Sequence, residues 1–411
     1  TDLFILIRRR NRFFIDWKKT GIACLLIAIV TLYFAFPGVV NNEGGLPVIL
    51  SNYDFAFYAA GSNGVKYHGA SYLRNHFGKL PELVTGIQNR YIAFWIAYIS
   101  SVFQVGIFNA VSLAAIYLYS LFVMAGAALA SVFVKNKYLY VAVGICFFFN
   151  CNFQYMFYQG FLGQIASVSF IIMITVLFLW IAEAERIRVK ESVSLGILAA
   201  GLAATYGEMI PIVVLPIMLT LVIALLFYRN RAKILFQNLF IAAATVGILF
   251  ARGYYTSIKT LFITTNATVG WDVRPGFLLQ SIGVYNVHTI DIFSHYEIPM
   301  KILFAVGCVI WIGICTYVYK KFSGEKRLLL EIYLIVYGLL YFVFLWRYDL
   351  YKTFKAMLNT SYIFITVIII CLFDKEKLSK KYQYIKTMSL AAIMILVAGG
   401  GLNVAAYDYA F

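Results

Sequence analysis

The chain reads as a series of apolar runs, most of them about 20 residues long, the length at which a helix crosses a bilayer. Short connections between the runs carry most of the Lys and Arg residues. Runs at 21–40, 110–134, 138–155, 165–184, 193–206, 211–228, 234–251, 302–319, 331–346, 360–373 and 388–406 predict an all-α, polytopic membrane protein of about eleven transmembrane helices. Two polar segments interrupt the series, at 41–90 and at 252–301. The apolar stretch 91–134 is too long for one span, and the downstream charge decides how it is used. If it crosses once, Lys135 and Lys137, Arg186, Arg188 and Lys190, Arg229, Arg231 and Lys233, and the basic groups at 320–327 and 375–386 all lie on the side of Arg8, Arg9 and Arg10. Two crossings would invert that arrangement. The expectation is an interfacial or steeply tilted helix over 91–106 and a span at 110–134. Residues 1–19 form a cytoplasmic N-terminal flank. Residues 20–411 form one transmembrane domain with external loops at 41–90 and 252–301, and the first loop carries interfacial helices.

Composition excludes other classes. With 62% hydrophobic and 13% charged residues, the chain is not a soluble globule, whose charged share is about a quarter. Its net charge of +16 is topological and calls for membrane lipids as neighbours, with no nucleic acid partner. The six cysteines lie in or beside apolar runs without metal-ligand or paired spacing and read as small core hydrophobes. Thr1 is not an initiator Met, and an apolar stretch precedes Arg8, so the chain is expected to be a piece or processed form of something longer. Mid-span charges, which mark ion pathways, are essentially missing. Chemistry at the outer face fits better than ion-coupled transport.

The candidate chemistry sits in the outer segments. Asp54, near the start of the first polar loop, has the right type and depth for a general base on an acceptor hydroxyl; Ser51-x-x-Asp54 also has the form of a capping box. Thr205-x-x-Glu208 before an apolar run with Pro211 is a second such box, with Glu208 as either a cap or a sugar-hydroxyl contact. Asn150 to Gln164 and Tyr206 to Pro216 break two short outward spans, as happens where a span lines a cavity. At the end of the run finishing at Trp346 come Arg347, Tyr348, Tyr351, Lys352 and Lys355. A continuing helix would pair Tyr348 with Lys352 and Tyr351 with Lys355 at i,i+4, a phosphate-binding face or an interface anchor. Arg252 could meet the same anion. His68, His76, His288 and His295 fall in the two polar segments without helical metal-site spacing and read as solvated loop residues.

One span, a long acid-bearing first loop, an interfacial helix, many further spans and a late basic cluster together resemble the GT-C glycosyltransferases. The resemblance rests on Asp54-Phe55-Ala56-Phe57-Tyr58, Gly163-Gln164, Tyr206-Gly207-Glu208 and Tyr351-Lys352. It departs from better-studied members in lacking an Asp-Glu pair at 54–55. The resemblance implies an inverting transferase in the bacterial plasma membrane, taking a sugar from a polyprenyl-phosphate carrier to a glycan, lipid or protein acceptor on the extracytoplasmic face. Asp54 would be its catalytic base; Gln164, Glu208, Arg252, Arg347, Tyr351, Lys352 and Lys355 would be substrate-binding. The sequence calls for no cofactor, names no metal ligands, and leaves room for a divalent metal. A lipid-linked oligosaccharide polymerase or ligase, or a flippase without bond chemistry, is the alternative.

Overall fold

The protein is described from a computed structural model covering residues 17–40, 53–76, 90–250, 280–283, 297–347 and 350–373. The last expected span, 388–406, lies outside these residues. The described residues form helices α1 (Trp17–Val40), α2 (Tyr53–His76), α3 (Arg90–Val102), α4 (Ile107–Phe133), α5 (Lys137–Phe149), α6 (Cys151–Tyr158), α7 (Leu162–Ala182) and α8 (Val189–Tyr206). A 3-10 turn at Gly207–Met209 leads into α9 (Ile210–Phe227), α10 (Arg229–Phe250), α11 (Glu297–Lys321), α12 (Gly324–Trp346) and α13 (Leu350–Phe373). No strand occurs among the described residues. Among the described residues, seven segments are long and apolar enough to cross a membrane, or eight if the bent pair α5 and α6 is one span. The chain is a polytopic, all-helical membrane protein.

The 39-residue segment 189–227 is one of the seven, yet as a straight helix it would be nearly twice the bilayer's hydrocarbon thickness. It folds back instead. Arg188 N and Ser192 Oγ both donate to Asn238 Oδ1, at 2.8 and 2.9 Å. Gly196 lies against Ala242 and Thr245, and Ala200 and Ala203 pack with Phe250. Contacts advance in the same direction on α8 and α10, so the two helices run parallel and α9 must return between them. Gly196 is needed for this packing. A Cβ there would stand 2.5 Å from the Ala242 carbonyl oxygen.

Burial ranks the helices. The spanning window of α13 is 94% buried and those of α4 and α7 are 72% and 78%, whereas α11 is 17% buried. The first three form the core, and α9, α10 and α11 present most of their apolar surface to lipid. Helix α3, at 13 residues, is too short to span. It buries Ile92, Ile96 and Ile99 on one face and exposes Tyr91, Phe94 and Tyr98 on the other, the pattern expected of an interfacial helix. It packs beside α2, where Lys66 Nζ donates to Ser100 Oγ at 2.9 Å.

The bundle has two chemically distinct ends. At one, Lys326 Nζ donates to the Val132 carbonyl, Arg231 pairs with Glu325, and Phe133 meets Phe322. This basic end gathers the loops that carry most of the described Lys and Arg. Glu183, just past α7, has its carboxyl pushed above the usual range by burial, an effect that Lys326 and then Arg188 partly offset.

The opposite end holds the break between α5 and α6, which meet at 53°. Backbone groups released by a break inside a bundle need protein partners, and they have them. Asn150 Oδ1 caps α6 by accepting from Asn152 N at 3.0 Å, and its Nδ2 donates to the Ser281 carbonyl at 3.0 Å. Asn152 Nδ2 donates to the Gln280 carbonyl, while the Phe148 carbonyl accepts from Tyr119 Oη and Gln154 Nε2. The short piece 280–283 is thus bound to the broken span.

Candidate functional site

Four side chains from three distant parts of the sequence converge at the end opposite the basic one. Gln164 lies in the first turn of α7, Tyr206 closes α8, Glu208 sits in the 3-10 turn, and Lys355 is in the second turn of α13. Lys355 Nζ donates to Tyr206 Oη and to Glu208 Oε1, both at 2.6 Å, and stands 4.9 Å from the Tyr206 ring centroid. Gln164 Nε2 donates to the same Tyr206 oxygen at 3.4 Å. The Glu208 and Lys355 side chains are only 14% and 10% exposed, so the ion pair is largely withdrawn from water.

The backbone prepares this meeting. Tyr206 leaves helical geometry, with φ −152° and ψ 68°, which ends α8 and turns Glu208 toward α13. Thr205 takes no part as a cap. Its hydroxyl donates back to the Gly201 carbonyl at 2.8 Å, and no side chain caps the 3-10 turn. The capping-box expectation for Glu208 is therefore corrected, because its carboxylate is engaged by an ammonium group from another helix. On the far side, Asn359 Nδ2 donates to the Lys355 carbonyl at 2.8 Å, and Ser167 Oγ bonds Asn359 Oδ1 at 3.3 Å and the Gln164 carbonyl at 2.7 Å. This pair locks α13 to α7 one turn below the cluster. Asn359 and Ser167 were absent from the sequence expectations, and the one available signal was the i,i+4 spacing of Asn359 from Lys355.

The helix that carries Asp54 docks at the same end. Phe55, the next residue, packs on Gly160, whose lack of a side chain leaves room for it: a Cβ on Gly160 would lie 3.3 Å from Phe55 Cβ, and its φ of +69° separately favours glycine. Tyr58 Oη accepts from Gly163 N at 3.1 Å, one residue before Gln164. The start of α2 is thereby fixed against the turn that positions Gln164. The side chains of Asp54 and Tyr351 lie outside the described set, as do Ser51, Tyr348, Arg252, His288 and His295. His68 and His76 belong to helix α2, where the sequence predicted loop residues.

Lys352 is half-buried in the first turn of α13. Helix α13 begins at Leu350, so the Tyr351/Lys355 spacing falls within a helix. Arg347 follows α12 at this end, exposed, with its amide bonded to the Val343 carbonyl at 3.2 Å. Of the two expectations for this cluster, Lys355 does not match an interface anchor, since it is buried and already paired. Among the described residues no group of three His, Cys, Asp or Glu side chains is placed to hold a metal ion.

No protein-family model matches the chain, and no curated protein matches it in sequence. Among solved structures it is similar to the archaeal oligosaccharyltransferase AglB from Archaeoglobus fulgidus, determined in complex with an inhibitory peptide and a dolichol-phosphate. The TM-score is 0.53 at 10% sequence identity, over 95% of this chain and 56% of that one. The chain thus spans little more than half the length of that structure. At such identity the likeness concerns the backbone arrangement alone, a polytopic helical membrane fold shared with that structure.

Proposed function

We propose that this protein is a membrane glycosyltransferase that moves a sugar from a polyprenyl-phosphate carrier to a cell-envelope glycan, lipid or protein acceptor on the extracytoplasmic face. The observation that carries the reading is the buried Glu208, Lys355, Tyr206 and Gln164 cluster, set at the end of an AglB-like helical fold where the Asp54 helix docks. In this reading Asp54 takes the proton of the acceptor hydroxyl as that oxygen attacks the anomeric carbon. Inversion follows from a single displacement. The departing phosphate gains negative charge as the bond to the sugar breaks. Lys352 and Lys355, with Arg252 or Arg347 as further cations, offset that charge where water is scarce. Glu208 holds the Lys355 ammonium in place before the donor arrives, and Gln164 and Tyr206 supply polar contacts to the sugar or its phosphate.

A lipid-linked oligosaccharide ligase is the second reading, favoured by the fold shared with an oligosaccharyltransferase. The test is release of free polyprenyl phosphate from a panel of polyprenyl-phosphate hexoses by the protein in liposomes, with envelope extract as acceptor source. Acceptor-dependent release that disappears in a folded Asp54→Asn variant is expected. No release from any donor, with or without divalent metal, would sink the single-sugar reading. Release from preassembled lipid-linked oligosaccharides alone would establish the ligase.

A further inference from the structure

We propose that the cleft between α11 and α12, near the basic end, binds the headgroup of an aminophospholipid. The site is remote from the Lys355 cluster and does not depend on the function proposed for it. Its key residue is Glu331, seven positions into α12, hence about 10 Å along the helix axis from its start. An ionised side chain inside a spanning helix is costly without a partner and marks a functional site by default.

Its partner within the protein is incomplete. Arg327 Nε lies 3.6 Å from Glu331 Oε1, a distance that gives charge attraction and no hydrogen bond. These two atoms are enclosed and neither has a hydrogen-bond partner, while the Arg327 and Glu331 side chains as a whole are 39% and 24% exposed and open to a ligand. The Arg327 guanidinium is held over the Tyr319 ring, 4.6 Å from its centroid. Beside this pair is a cavity of about 330 Å³ lined by Cys315, Thr316, Tyr319, Glu331 and Ile335, at the small end of ligand-sized cavities. Helical side chains lean toward the N-terminus, which carries the Glu331 carboxylate back toward Arg327 and headgroup depth. Farther along the two helices, Val309, Ile312, Leu339 and Val343 are exposed, an apolar track for an acyl chain.

One negative and one positive group side by side select a zwitterion. The ammonium of an ethanolamine headgroup can donate to Glu331 through charge-assisted hydrogen bonds, while its phosphate meets Arg327 and the Lys320 and Lys321 pair that ends α11. A choline headgroup offers no N–H donor. A purely anionic lipid would meet the carboxylate.

The test uses wild-type protein in vesicles of phosphatidylethanolamine and phosphatidylcholine, treated with a membrane-permeant carbodiimide that couples a carboxylate to an adjacent primary amine. A lipid adduct on the Glu331 peptide is expected by mass spectrometry. No adduct there, or coupling at Glu191 to the same extent, would overturn the proposal, since Glu191 lies outside the cleft. Native mass spectrometry should also show ethanolamine lipid retained about tenfold over choline lipid, the scale of one charge-assisted hydrogen bond. Glu331→Gln should abolish that preference. Equal retention of both lipids by wild type, or an unchanged preference in the variant, would also overturn it. Should the variant misfold, the wild-type crosslink decides alone.

Discussion

Breaking the Glu208 and Lys355 pair tests whether the cluster is an organised site or only a structural clasp. Both side chains are largely buried, and the ammonium spans two acceptors at 2.6 Å. Lys355→Met keeps the apolar stem and strands the Glu208 carboxylate. Removing one member of a buried pair costs about 3 to 5 kcal/mol, and the residual exposure of Glu208 places this variant near ~3 kcal/mol. Glu208→Gln is milder, about 2 kcal/mol, because Tyr206 and the amide oxygen still accept from Lys355. The double variant buries no charge and should fall within about 2 kcal/mol of wild type, which gives a coupling of about 3 kcal/mol between the two positions.

The assay is reversible unfolding of the four proteins in mixed micelles, run beside polyprenyl-phosphate release. Single variants as stable as wild type, or a double variant that loses the sum of the singles, would refute the pairing. Turnover separates the roles. If the pair is a clasp, the double variant regains activity along with stability; if Lys355 meets the donor phosphate, stability returns and activity does not.

Gly160→Ala should lose turnover while Gly324→Ala keeps it. Both glycines have positive φ and both variants should lose about 1 to 2 kcal/mol of stability, but only at Gly160 does the new methyl group press on the Asp54 helix through Phe55. Asn359→Leu should lower the unfolding midpoint by an amount equivalent to about 1 to 3 kcal/mol, because it removes the bonds to Ser167 and the Lys355 carbonyl in a fully buried position. Glu183 has a raised folded pKa, so its contribution to stability is full below the unfolded value of about 4.3 and is lost as pH rises through the folded value. Glu183→Gln should therefore be at least as stable as wild type at neutral pH. That advantage should shrink on acidification, and a neutral-pH loss in thermal unfolding would show that Lys326 and Arg188 outweigh burial.

Much of the architecture was legible because bilayer length and charge asymmetry are properties of consecutive residues. The expected spans at 110–134, 165–184 and 211–228 correspond to α4, α7 and α9, and the helix over 91–106 proved short and one-sided. The break near Asn150 was legible from its polar run. Its satisfaction by 280–283 was not, since those partners lie 128 or more positions away. The same limit applied at Glu208. A local pattern, Thr205-x-x-Glu208, imitates a capping box, and nothing nearby in sequence reveals a lysine 147 positions later.

That mismatch singles out the candidate site more sharply than the motif did. A capping carboxylate would satisfy its own helix and could sit anywhere on the bundle's surface, with no need of a partner from the core. Glu208 instead leaves its turn uncapped and reaches the most buried helix of the bundle, on a side chain 14% exposed. Local sequence preference and tertiary structure disagree at this point, and such disagreements concentrate where function has displaced the locally preferred arrangement. The charges of the two ends divide in the same way. At the basic end, pairs such as Arg231 with Glu325 and Arg188 with Glu191 are substantially exposed and add little to stability. The Lys355 ammonium at the other end is withdrawn from water, where electrostatic interactions are stronger and a developing negative charge is met with less rearrangement.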